Sequence, residues 1–165
     1  MTPDKLAKSD TEHAHQVALF AYAAVARQKG FEFADYWSEG GNMNFGMGNT
    51  LPVPALEWLH AVPNGGSRGN DAKTRAIRGG QLKAEGVKRG VADIFLPWAS
   101  ANCHGLYIEM KKPSVKPKRE GGKGGLSNDQ IKFKNYCHSI DFGFVTCYSW
   151  KEAAIVLRTY IEWSE

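Results

Sequence analysis

The chain has 165 residues, 42% of them hydrophobic, and a formal net charge of +4, which suits one domain with a real core. Cys103, Cys137 and Cys147 are odd in number and form no CxxC pair, so neither a disulfide framework nor a zinc knuckle is indicated. No apolar run is long enough to span a bilayer, and the opening MTPDKLAKSDTEHAHQ lacks the apolar stretch of a secretory signal; the expectation is a soluble, cytoplasmic protein with no membrane partner.

In chain order, Ser9-Asp10-Thr11-Glu12 has the form of a capping box and predicts a helix running to Gln28, with Gly30 just beyond it. Residues 31–50 turn aromatic and rich in Gly and Asn, with neither helical nor strand periodicity, so residues 31–55 read as an ordered insertion. Residues 56–62 are expected as a short strand, stopped by Pro63 and Asn64-Gly65-Gly66. A helical segment over 71–85, interrupted at Gly79-Gly80, leads into two apolar runs, 91–96 and 106–111, the pattern of a strand pair joined by a long connection. Residues 113–125 form a Pro-, Gly- and Lys-rich loop. Ser127-Asn128-Asp129-Gln130 is a second capping-box signature opening a helix to about His138. A strand over 144–148 and a helix capped at Ser149 complete a single domain.

The charge is unevenly spread. Residues 68–89 and 111–123 each carry +5, while the remainder sums to −6. Clustered Lys and Arg in a mildly acidic background are the electrostatic footprint of a polyanion partner, although two solvated basic loops would look the same. Within the apolar runs, Asp93 and Glu109 are acids in places where an unpaired carboxylate is costly unless it binds a metal or a partner. In Glu109-Met110-Lys111 the strand period of two puts acid and amine on one face and turns Met110 to the other. A metal held by the acids would activate water for phosphodiester hydrolysis, with Lys111 positioning that water. A Glu and a Lys two apart can also be just a solvated strand edge.

The strings GGQLKAEGVKRGVADIFLP, HGLYIEMKKP and LSNDQ, with HAVPNGGSR upstream, resemble successive motifs of the VRR-NUC family of PD-(D/E)xK nucleases, above all its stand-alone phage and bacterial members. The likeness covers about residues 60–160. It implies a restriction-endonuclease-like α/β fold, a mixed central sheet flanked by helices. It also implies Mg²⁺- or Mn²⁺-dependent cleavage of DNA, branched or duplex, by a homodimer such as a Holliday junction resolvase. On the matching positions, Asp93 and Glu109 become metal ligands, Lys111 the catalytic lysine, and the main-chain carbonyl of Met110 a further ligand. Gln130 resembles a site glutamine, though its place at N3 of a capping box is a sufficient structural reason for it. Glu12 matches an acid supplied by the first helix, with capping again as the rival role. Arg68 follows the PNGG turn, and Lys83 and Lys88 fall in the Lys-x-x-Gly region, so all three are candidates for holding phosphates. Lys116, Lys118, Arg119 and Lys123 form either a clamp on the duplex or a plain exposed linker. A non-catalytic DNA-binding module, or a nuclease that needs a partner to choose its substrate, are the competing functional readings.

Overall fold

The alternation of residues 106–110 places β3 (Leu106–Met110) at the centre of a four-stranded sheet, its even-numbered side chains on one face and its odd-numbered ones on the other. The computed structural model describes residues 1–44, 46, 50–63, 71–100, 102–119 and 121–163. On one side of β3 runs β2 (Ile94–Leu96), antiparallel, followed by β1 (His60–Ala61), also antiparallel. On the other runs β4 (Gly143–Cys147), parallel. The sheet is therefore mixed, in the order β1-β2-β3-β4, as expected.

Its even face carries the main core. Ile94, Leu96, Leu106, Ile108 and Met110 are buried against α2 (Glu12–Lys29) and α6 (Trp150–Glu162), whose Ala18, Leu19, Ala153 and Leu157 allow close packing. Each fully buried aliphatic side chain there contributes about 1.5–3 kcal/mol. The odd face is covered more lightly by α5 (Asn128–Ser139), through a cluster of Ala92, Cys137 and Phe144 with Tyr107, Phe133 and Phe142 around it. Among the described residues no helix is long and apolar enough to cross a membrane.

The first helix does not start at a Ser9 capping box. A short α1 (Pro3–Leu6) and a 3-10 turn at Ala7–Ser9 come first, Asp10 takes a left-handed conformation (φ 53°), and Thr11 caps α2 by accepting from the Ala14 N–H at 3.1 Å. The presumed insertion begins with a helix, α3 (Phe31–Ser38), which packs on α2 by burying Phe31, Ala34 and Trp37 at a spacing of three. Gly30, with φ 87°, makes the corner, and a Cβ there would lie 2.7 Å from the Leu51 carbonyl oxygen. Eight residues are too few for that period to stand out against an aromatic background. Residues 56–62 are mostly not strand: Pro54–Trp58 is a 3-10 turn and only His60–Ala61 pairs. α4 (Ala72–Ala84) runs through Gly79-Gly80 without interruption, since glycine weakens a helix without having to end it. The expected Asn64-Gly65-Gly66 turn and Arg68 lie outside the described residues.

Leu157→Ala should cost about 2–5 kcal/mol in urea unfolding, because it opens a cavity under the sheet. Ile155→Ala, on the exposed side of the same helix, should stay within about 0.5 kcal/mol.

Candidate active site

The register that pairs Ile94 with Ile108 brings Asp93, just before β2, alongside Glu109 of β3. The Met110 N–H donates to Asp93 Oδ2 at 2.9 Å, so the backbone of β3 holds the neighbouring acid in place. The Met110 side chain itself is fully buried in the main core. Glu109 and Lys111 share the odd face, as strand periodicity requires, and Lys111 Nζ lies 2.7 Å from Glu109 Oε1.

Glu109 is the most confined acid of the site, with no exposed surface. Its Oε1 accepts from both Lys111 and the Gln130 Nε2 amide, while Oε2 is buried with no hydrogen-bond partner among the described residues. Burial pushes its carboxyl up to about 7, the Asp93 carboxylate adds to the rise, and Lys111 opposes it. For Lys111, burial pulls the amine down, but the hydrogen bond to Glu109 and the nearby Glu109, Glu12 and Asp93 carboxylates outweigh it and hold it above its usual value. Lys111 therefore stays an ammonium at neutral pH, able to donate to an oxygen but not to remove a proton.

Gln130 is engaged at both ends of its amide. The capping box is complete, with Ser127 Oγ accepting from the Gln130 N–H and Gln130 Oε1 accepting from the Ser127 N–H at 2.9 Å. The amide's other end donates to Glu109. Glu12, by contrast, has lost its rival role: with Thr11 as the cap it stands at the first helical position, half-buried, and lines the same cleft as the other acids. The start of α2 is pinned there by His15, which accepts from the Trp150 N–H at Nδ1 and so carries its proton on Nε2, directed to Asp10 at 2.9 Å.

A cleft of about 1200 Å³ opens above these groups. Glu12, Lys83, Lys88, Asp93, Glu109, Lys111 and Gln130 all line it, whereas Met110, Lys116, Lys118, Arg119 and Lys123 do not. Lys116 is ion-paired with Glu152 and sits 5.7 Å from the Tyr148 ring centre. Lys123 reaches Asn128 at 3.3 Å, and the loop between them is tied down where the Tyr148 hydroxyl donates to the Gly124 carbonyl. Lys118 and Arg119 are exposed. The sequence reading missed Arg89, Asp129 and Gly90, all of which line the cleft. Gly90 has φ 82°, and a Cβ on it would meet the Asp129 carbonyl carbon at 2.4 Å, so only glycine lets the strand leading to Asp93 pass the start of α5. Its one sequence signal was the Arg-Gly turn in GVKRGVAD.

The donor set fits a hard divalent cation. A buried carboxylate oxygen without a partner is a costly arrangement that a cation would relieve. Among the described residues no three His, Cys, Asp or Glu side chains group tightly enough to hold an ion alone. Asp93 and Glu109 would hold it, with backbone oxygen and water completing the shell in the manner usual for magnesium.

Neither a family model nor a curated protein matches this sequence. Among solved structures, one described as a VRR_NUC domain protein aligns with a TM-score of 0.56 over 94% of this chain and 91% of its own, at 18% sequence identity. At that identity the likeness is one of fold, and the fold of this chain, with its mixed sheet and flanking helices, is that of a VRR_NUC domain protein.

Proposed function

We propose that this protein is a metal-dependent DNA endonuclease whose catalytic core is Asp93, Glu109 and Lys111. The observation that carries the reading is the Oε2 of a wholly buried Glu109, without a partner among the described residues, beside Asp93 in a cleft that lysines also line. A bound Mg²⁺ or Mn²⁺ would activate water and neutralise charge developing on the phosphate. Asp93 and Glu109 would hold the ion, aided by Glu12, which lines the same cleft, and, on the resemblance alone, by the main-chain carbonyl of Met110. Gln130 fixes the orientation of Glu109 through Oε1, leaving Oε2 directed to the ligand. Lys111, kept protonated, donates to the attacking water or to a phosphate oxygen. Lys83 and Lys88 stand at the cleft to neutralise flanking phosphates; Lys118, Arg119 and Lys123 would extend the basic surface, and Arg68, outside the described residues, is a further candidate on its charge alone. The likeness in fold and the motifs quoted above support the further reading that the substrate is branched DNA, a four-way junction included, cut inside the cell by a homodimer that presents two such sites.

The deciding experiment is cleavage of labelled four-way junction, flap, single-stranded and linear duplex DNA with Mg²⁺, Mn²⁺ or EDTA. Asp93→Asn and Glu109→Gln are expected to abolish cutting while binding persists. Binding by the wild type without cutting on any substrate would favour a DNA-binding module or the need for a partner protein.

Two solution measurements follow from the same residues. Because the folded-state pKa of Glu109 lies above its ordinary value of 4.5, at about 7, its contribution to stability is complete below about pH 4.5 and is lost as pH rises through about 7. In EDTA the chain should lose up to about 3 kcal/mol over that window, and Glu109→Gln should flatten the fall. Added Mg²⁺ or Mn²⁺ should stabilise more at pH 8 than at pH 6, since the ligand must be ionised. Neutralising Lys118 and Arg119 together should weaken DNA binding and reduce the slope of log K against log salt by up to about 2; an unchanged slope would remove that loop from the interface.

A further inference from the structure

Two adjacent glycines in the middle of an exposed helix gain nothing from this fold. A Cβ on Gly79 or on Gly80 would meet nothing within 4 Å, and α4 has no buried residue among those described. Each glycine weakens the helix relative to alanine, so the chain by itself would be more stable with side chains there. The two positions differ in what they face. Gly79 lines the cleft, as does Ala76 one turn before it, whereas Gly80 is not among the lining residues. The same cleft is lined by Glu109, wholly buried, with Oε2 lacking a partner among the described residues. An unsatisfied acid and a helix position without a side chain thus belong to one cleft, which Leu82 of the same helix also lines. Lys83, four residues on from Gly79 and so on the same side of the helix, also lines the space.

Resting on the nuclease reading, we infer that α4 is the second wall of the substrate channel. One strand of the polynucleotide runs between α4 and the Glu109–Lys111 segment, its sugar-phosphate backbone lying against the helix at Gly79. Glycine serves at this position because only a residue without a side chain lets another backbone approach so closely. Lys83 meets a phosphate of the same strand. Gly79 is a positioning residue: it sets how near to the carboxylates the strand can lie, and takes no part in the chemistry.

The test compares Gly79→Leu with Gly80→Leu, which add the same side chain to the cleft side and the outer side of one helix. Thermal midpoints, binding of a labelled oligonucleotide in EDTA, and cleavage with Mg²⁺ are measured for both variants and the wild type. Both variants are expected to fold with midpoints at or above that of the wild type. Gly79→Leu should lose roughly tenfold or more in cleavage, since a small misplacement of a bound substrate is costly, and should bind more weakly, while Gly80→Leu stays within about twofold. Wild-type cleavage and binding by Gly79→Leu would overturn the inference alone. Equal losses in both variants would also overturn it, pointing to a need for helix flexibility instead of space. A wild type that neither binds nor cuts DNA would remove the nuclease reading, and this inference with it.

Discussion

Placing a carboxylate inside the sheet at Glu109 is the constraint around which the molecule is arranged. An acid with no exposed surface is tolerated only if its surroundings compensate for the lost water. Here they do so on one oxygen, through Lys111 and Gln130, and leave the other without a partner among the described residues. Those two contacts come from different parts of the chain, one from the strand itself and one from the first turn of α5. Asp93 comes from a third, held by the Met110 N–H. Correct pairing of β2 with β3 is thus a condition of the site as well as of the fold, because a slip of one residue would turn Glu109 and Lys111 into the apolar layer.

The strand pair, the α5 capping box and the shared face of Glu109 and Lys111 were legible in the sequence because each rests on a short-range rule: alternation, cap spacing, period two. What escaped had competing local signals or none. Ser9-x-x-Glu12 fits a capping box, whereas the true cap at Thr11 has Ala14 at N3 and no such signature, and the left-handed turn at Asp10 between them is tied to His15 and, through it, to Trp150, far away in sequence. α3 is too short for its three-residue spacing to register, and it is held from outside by Tyr22 and Arg158, which both bind Asp35. Gly79-Gly80 suggested a break where the helix continues. Gly90 left only the weak signal of an Arg-Gly pair, since its reason is the backbone of Asp129, nearly forty residues later.

Rigidity is unevenly divided between the two faces of the sheet. The face toward α2 and α6 holds most of the buried aliphatic residues, whereas α5 buries only Cys137 and α4 buries nothing among its described residues. Local stability follows buried contact, so the strands carrying the acids are braced from behind while the elements across the cleft have little holding them.

The double duty of Gln130 also bears on the order in which the molecule is made. Asp93, Glu109 and Lys111 leave the ribosome before residues 127–130, and until the first turn of α5 forms, Glu109 lacks the amide that holds its Oε1. Because the same side chain closes the capping box, winding that turn and finishing the site are a single event. A nascent chain therefore carries Asp93, Glu109 and Lys111 for a time without the hydrogen bond that holds Glu109 in the folded molecule, and the arrangement is completed only once residues 127–130 have emerged and wound.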